Sequence, residues 1–400
     1  MKEGFGKLTS LKEAKEVILN LIKEKNDEII ELDRALKRVL AEDIIAKIDV
    51  PHFKKSAMDG FAVRAKDTFG ATNVNPKELR VIGSVKIGTV PKKTITNREC
   101  MAVSTGCMLP NGADSVLMVE FTERKNHKIT IYKAVTPGEN IIDIGSDIKK
   151  GKLVGKKGEL INPRTIGNLA SQGIKKIRVK KKPVVAYFSI GDEIIKAGEK
   201  LEKGKIYDIN SKTIIAGLKE YNCDVIDLGI VKDNKEKIKE TIKKGLRADF
   251  IIFSGGSSLG EKDLMCKAVS EIGTILIHGI AVKPGKPVLV GKVKNKLVLG
   301  LPGYPTSSLS NFYILVIPII EKMLNVRYPL NTIKARLARK VVSTIGRYEF
   351  MAVKIEDNRV IPIMRGSSSI TTLSEADGFI EIEENTEVLE KDSLVTVRLF

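Results

Sequence analysis

The 400-residue sequence has no tryptophan, only three histidines and only four cysteines. Cys100, Cys107, Cys223 and Cys266 form no C-x-x-C pair, so no structural zinc site is expected. With no export signal they read as reduced thiols. His52, His127 and His278 belong to no Ser–His–Asp pattern, which argues against the usual nucleophile chemistry. Neither G-x-x-x-x-G-K-[ST] nor G-x-G-x-x-G occurs, so P-loop and dinucleotide fingerprints are absent. The longest strongly apolar run, Phe312–Ile320, has nine residues, far short of the ~20 that span a bilayer. The N-terminus is charged and amphipathic, without a signal-peptide core. The expectation is a cytoplasmic protein with no membrane partner.

Positive charge is in excess: 68 Lys and Arg against 49 Asp and Glu, a formal net charge of +19. The densest basic stretch is 146–182, where only Asp147 and Glu159 are acidic. Such a field suits a polyanion, or it is the solvated surface of an enzyme for small anions. Aromatic residues are 5% of the chain and barely interleave with the lysines, so base stacking is poorly served and nucleic acid is not the expected partner.

At roughly 100–200 residues per domain, the length implies two to four domains. Residues 10–40 read as helix: Leu11, Ala14, Val17, Ile18, Leu21 and Ile22 recur at helical spacing, Ser10 with Glu13 makes a capping box, and E-L-D-R-A-L-K-R-V-L repeats the pattern. Residues 49–145 alternate short apolar runs with Gly, Pro and Asn, as β-rich domains do. From 183 to 326, four strand-like runs (V-V-A-Y-F-S-I, D-V-I-D-L-G-I-V, D-F-I-I-F-S, K-L-V-L-G-L) alternate with helical ones. That rhythm is the signature of a doubly wound, mostly parallel sheet. Residues 327–400 return to short strands. The expected architecture is multidomain α/β plus β: a mixed helical domain (1–48 with 146–182), a β-rich insertion (49–145), the α/β domain (183–326) and a small C-terminal β domain (327–400).

Ligands of doubly wound sheets bind beyond the C-terminal strand ends. Three loops there carry candidate chemistry. S-I-G-D-E-I offers Asp192 and Glu193; S-G-G-S-S-L-G-E-K-D joins Gly255, Gly256, Ser257 and Ser258 to Asp263; L-P-G-Y-P-T-S-S puts Thr306, Ser307 and Ser308 at a helix start. Hydroxyls and free N–H groups at a helix N-terminus suit an anion, although an ordinary cap looks the same. K-P-G-K-P is excluded from helix by its prolines, so Lys283 and Lys286 ride on a stiff loop. Asp59 lies in a tight turn before Gly60. Asp263 reads as a helix cap or, with Glu193 or Asp233, as a Mg²⁺ ligand; magnesium commonly joins one or two carboxylates to phosphate.

S-A-M-D-G-F-A-V, S-T-G-C-M-L-P-N-G-A-D-S-V-L-M-V-E, G-E-N-I-I-D-I-G-S-D-I, G-D-E-I, S-G-G-S-S-L-G-E-K-D, K-P-G-K-P and G-L-P-G-Y-P-T-S-S occur in this order. In order and spacing they resemble the MoeA family, the molybdopterin molybdenumtransferases related to the C-terminal domain of gephyrin. The resemblance spans essentially the whole chain. It implies a molybdopterin-binding type of α/β domain and an elongated homodimer of four-domain subunits. It implies insertion of molybdate into adenylylated molybdopterin with Mg²⁺, release of AMP, and contact with a molybdopterin adenylyltransferase. Matched by motif, the family's functional positions fall on Asp59, Thr105, Asp147, Glu193, Asp233, Asp263, Lys283, Lys286, Pro302, Pro305 and Ser367. Glu193, Asp233 and Asp263 would hold Mg²⁺ and phosphates, and the Gly255–Gly260 loop, with Gly256, Ser257 and Ser258, would cradle the pterin phosphate or adenylate. Lys283 and Lys286, with Ser307 and Ser367, would bind the oxyanion; Asp59 and Thr105 would reach in from the partner subunit.

Ala352 stands where many members carry an arginine, a place open to Arg347 or Arg365, and it bears on molybdate against tungstate. Two other functions fit parts of the chain. An adenylyltransferase needs only the α/β domain, whereas a gephyrin-like scaffold for a protein tail needs neither Glu193, Asp263 nor the two lysines.

Overall fold

A computed structural model describes residues 8–255, 264–363, 366 and 368–400. Among these residues the central sheet has six strands, labelled here in chain order: β1 Val184–Ile190, β2 Asp224–Val231, β3 Phe250–Gly255, β4 Thr274–His278, β5 Leu289–Val293 and β6 Lys296–Leu301. Their spatial order is β2-β1-β3-β6-β5-β4. The first three pairings are parallel; β6–β5 and β5–β4 are antiparallel. The apolar runs of β1 and β3 have no polar side because both faces are covered. Val185, Tyr187, Phe250 and Ile252 pack on one face with Ile214 and Leu218 of the helix Ile209–Glu220. Ala186, Phe188, Ile251 and Phe253 pack on the other with Ile238, Ile242, Met265 and Val269 of two further helices. The sheet is thus doubly wound and mostly parallel, as read from the sequence. The antiparallel pair β4 and β5 was not read. β4 is short, and the apolar sequence run of β5 is broken by Gly291, whose added Cβ would lie 2.7 Å from Val269.

The 20-residue helical stretch Pro305–Leu324 is long and apolar enough to cross a membrane, yet 72% of its 18-residue apolar window is buried inside the protein. It is the core helix of the α/β domain. The helix Leu11–Asn20 is capped as expected, with Ser10 Oγ accepting from the Glu13 N–H at 3.2 Å. Its buried face (Leu11, Ala14, Ile18) joins the same core.

The expected continuation of that helix to residue 40 is corrected. Asp27–Glu31 is a strand and Leu32–Arg34 a single 3-10 turn. Long-range pairing overrides the helical period here, because the acidic strand lies antiparallel to the basic Lys176–Lys180. Lys180 Nζ lies 3.0 Å from Asp27 and Lys176 Nζ 3.4 Å from Glu31. Part of the basic segment therefore faces carboxylates of its own chain. Leu32, Leu40, Ile148, Ile161 and Ile177 share one core.

The β-rich region forms a six-stranded sheet around Phe61, Leu79, Leu117 and Ile129. The C-terminal sheet is also six-stranded, and its edge strand, Val282–Lys283, is lent by the α/β domain.

Candidate functional site

The parallel strands end level with one another. Ile190 is in register with Val231 and with Gly255, and Ser254 with Leu301, so the loops that follow open onto a common space. Gly191, at φ +154°, returns the chain so closely that a Cβ there would sit 2.6 Å from Glu193 Oε2. Gly255, at φ +86°, turns off β3 where a Cβ would meet the Ile190 carbonyl at 2.3 Å. Beneath these turns the Tyr187 hydroxyl bonds Ser254 Oγ at 2.6 Å and Ser189 Oγ at 3.1 Å. Burial pushes that phenol above its ordinary pKa, so it stays neutral.

The space is a cleft of about 900 Å³ between this sheet edge and the C-terminal domain. Glu193, Ile194, Asn210, Gly255, Pro302, Thr306 and Ser307 line the α/β side; Arg347, Glu349, Phe350, Met351 and Ala352 line the other. The K-P-G-K-P loop joins them. Lys283 pairs in register with Glu349, and its Nζ lies 3.0 Å from Glu349 Oε1. Ser343 Oγ donates to the second oxygen, Oε2, at 2.8 Å. The loop is stiff for a second reason besides its prolines. Asn311 Nδ2 donates to the Gly285 carbonyl at 3.3 Å and to Ser307 O at 2.8 Å, and a Cβ on Gly285 (φ +108°) would lie 1.9 Å from that nitrogen. Thr306 Oγ1 donates to Ser369 O at 2.5 Å, tying the start of the core helix to the C-terminal domain.

Of the residues singled out in the sequence, Glu193, Gly255, Lys283, Lys286, Pro302 and Ser307 line this cleft. Pro305 opens the helix that carries Ser307. Asp233 does not line it but is tied to the Glu193 loop: the Asp192 N–H donates to Asp233 Oδ2 at 3.1 Å. Asp59 and Thr105 sit together in the β-rich region, where the Thr105 N–H donates to Asp59 Oδ1 at 2.8 Å; both are exposed. Asp147 is exposed, and its carbonyl accepts from Lys152 Nζ at 3.4 Å. None of these three lines the cleft of its own chain. Gly256, Ser257, Ser258, Asp263, Arg365 and Ser367 lie outside the described residues. Among the described residues no group of three or more His, Cys, Asp or Glu could hold a metal ion.

Sequence reading passed over Glu349, the buried carboxylate of the strand Tyr348–Glu356, only 5% exposed. The signal was there. A charge in a buried run needs a partner of opposite sign, and Lys283 was already on a stiff loop.

Comparison with known proteins matches three successive stretches of the chain. Residues 9–173 match the MoeA N-terminal region (domain I and II), 186–322 match a family described as "Probable molybdopterin binding domain", and 334–400 match the MoeA C-terminal region (domain IV). A Methanocaldococcus jannaschii protein named for molybdopterin biosynthesis is 39% identical over 98% of both chains. The molybdopterin molybdenumtransferase of Haemophilus influenzae is 38% identical over 74% of this chain and 72% of its own. A crystal structure of a molybdopterin biosynthesis MoeA protein from Pyrococcus horikoshii superposes with a TM-score of 0.84 at 41% identity, covering 98% of this chain and 99% of that one. The regions flanking the α/β domain are matched as well as the domain itself, and the chain belongs to the MoeA family of molybdopterin molybdenumtransferases.

Proposed function

We propose that this chain inserts molybdate, or tungstate, into adenylylated molybdopterin with Mg²⁺, releasing AMP and forming molybdenum cofactor. One observation carries the reading. One cleft has a carboxylate and a glycine turn on the sheet edge and, where its two walls meet, lysines on a rigid loop. The sheet edge suits a metal-bridged phosphate, and the lysine loop, paired with the C-terminal wall through Glu349, a tetrahedral oxyanion.

The donor set fits magnesium. Glu193 is exposed in the cleft, and Asp233 has one oxygen taken by a backbone N–H, leaving the other to a ligand. Mg²⁺ is characteristically held by one or two carboxylates plus substrate phosphates, without a closed protein cage. Glu193 and Asp233, with Asp263, would hold it, and it would offset negative charge where the phosphoanhydride breaks.

Lys283 and Lys286 donate charge-assisted hydrogen bonds to oxyanion oxygens. Ser307 stands in the first turn of the core helix, where free N–H groups favour an anion. Arg347, on the same wall as Ala352, supplies the cation that residue lacks. Gly255 keeps the floor of the cleft free of a side chain, so that backbone can approach the phosphate. Gly256, Ser257, Ser258 and Ser367 are assigned to the same ligands by motif. Asp59, Thr105 and Asp147 stand away from the cleft of their own chain, which supports a homodimer in which a second copy delivers Asp59 and Thr105. The adenylylated substrate would come from a molybdopterin adenylyltransferase.

The test is AMP release from adenylylated molybdopterin and Mg²⁺ on addition of molybdate or tungstate. Release that depends on the oxyanion is expected; release that ignores it contradicts the reading.

A further inference from the structure

Glu349 puts a negative charge into the wall of a cleft that gathers Lys283, Lys286 and Arg347. Burying a carboxylate is costly unless it is paired, and a carboxylate beside an anion pocket opposes the anion. Both of its oxygens are engaged: Oε1 lies 3.0 Å from Lys283 Nζ, and Oε2 accepts from Ser343 Oγ at 2.8 Å. The backbone holds the same pair, because Lys283 is in register with Glu349 across the two domains. The Lys283 side chain is 42% exposed while that of Glu349 is 6% exposed. An ammonium has three N–H donors, and the carboxylate engages it from the buried side, leaving the exposed side to the cleft.

We propose that Glu349 is a built-in counter-charge. It is a positioning residue that aims Lys283 into the cleft and at the same time lowers the cleft's affinity for a doubly charged tetrahedral oxyanion. The oxyanion is then held loosely enough to be handed on. This rests on the reading of Lys283 as an oxyanion ligand. A purely structural ion pair between two domains makes the opposite prediction, since losing it can only loosen the wall.

The experiment is calorimetric titration of molybdate into the full chain at low and at high ionic strength. The proteins are wild type, Glu349→Gln, Lys283→Met and the double variant, with thermal melts to confirm folding. Glu349→Gln keeps shape and removes charge. It is expected to bind molybdate about tenfold more tightly at low ionic strength, the effect of deleting one unit charge a few ångströms from the anion. The gain should shrink as salt screens it. Lys283→Met should bind more weakly than wild type, and adding Glu349→Gln to it should restore several-fold. Equal or weaker binding by Glu349→Gln, or no restoration in the double variant, overturns the proposal. If Glu349→Gln alone does not fold, the double variant carries the test, because it leaves neither charge unpaired. A wild type that binds neither molybdate nor, in a parallel titration, tungstate overturns the oxyanion reading and this inference together. A wild type that binds, with Glu349→Gln no tighter, overturns the inference alone.

Discussion

The two walls of the cleft are built from opposite kinds of contact. On the α/β side, strand register does the placing: β1, β2, β3 and β6 end level, and each functional group follows within a few residues. On the C-terminal side, residues far apart in the chain must meet first. Lys283 finds Glu349 across 66 positions of sequence, and Thr306 finds Ser369 across 63. The first wall is a property of one sheet; the second exists only once two domains have docked. Changes in the docked wall should therefore reach the oxyanion, while changes confined to the sheet should lower stability and leave the oxyanion alone.

Phe379→Ala should have the largest effect. Phe379 stacks on Phe350, a cleft residue, with ring centroids 4.0 Å apart, and it packs within 5.8 Å of Tyr313 on the core helix. Truncation should cost about 3–5 kcal/mol in urea denaturation and raise the KM for molybdate in the surviving protein. Gly300→Ala attacks the other wall. Its Cβ would fall 2.2 Å from the Phe253 ring inside the sheet, an overpacking worth about 1–3 kcal/mol. If the walls are as separable as their construction implies, its molybdate KM stays near that of wild type. Arg347→Ala should be mildest, removing one cation from the cleft without a core contact. A rise in molybdate KM of about tenfold or less is expected, with unchanged stability. A change in melting temperature instead would make Arg347 a structural residue.

The same contrast explains what could be read from the sequence. Continuous apolar runs bounded by glycine marked β1, β3 and β6, and with them the loops of Glu193 and Gly255. Those signals are local and the fold repeats them in order. K-P-G-K-P was legible because prolines act on their own neighbours. Asp27–Glu31 was misread as helix because its partner strand lies about 150 residues away, and only the charges of Lys176 and Lys180 reveal the match. β4 and β5 were missed because a glycine that makes room for Val269 looks like a turn. Glu349 was missed because a single carboxylate acquires meaning only when Lys283 arrives beside it.

The most direct measurement is a two-way titration of AMP release, in molybdate and in Mg²⁺, comparing Lys286→Met with Glu193→Gln. With oxyanion on one wall and metal-bridged phosphate on the other, Lys286→Met should raise the molybdate requirement and leave the Mg²⁺ requirement alone. Glu193→Gln should do the reverse. If both variants shift both requirements alike, the two walls do not divide the work and the account fails.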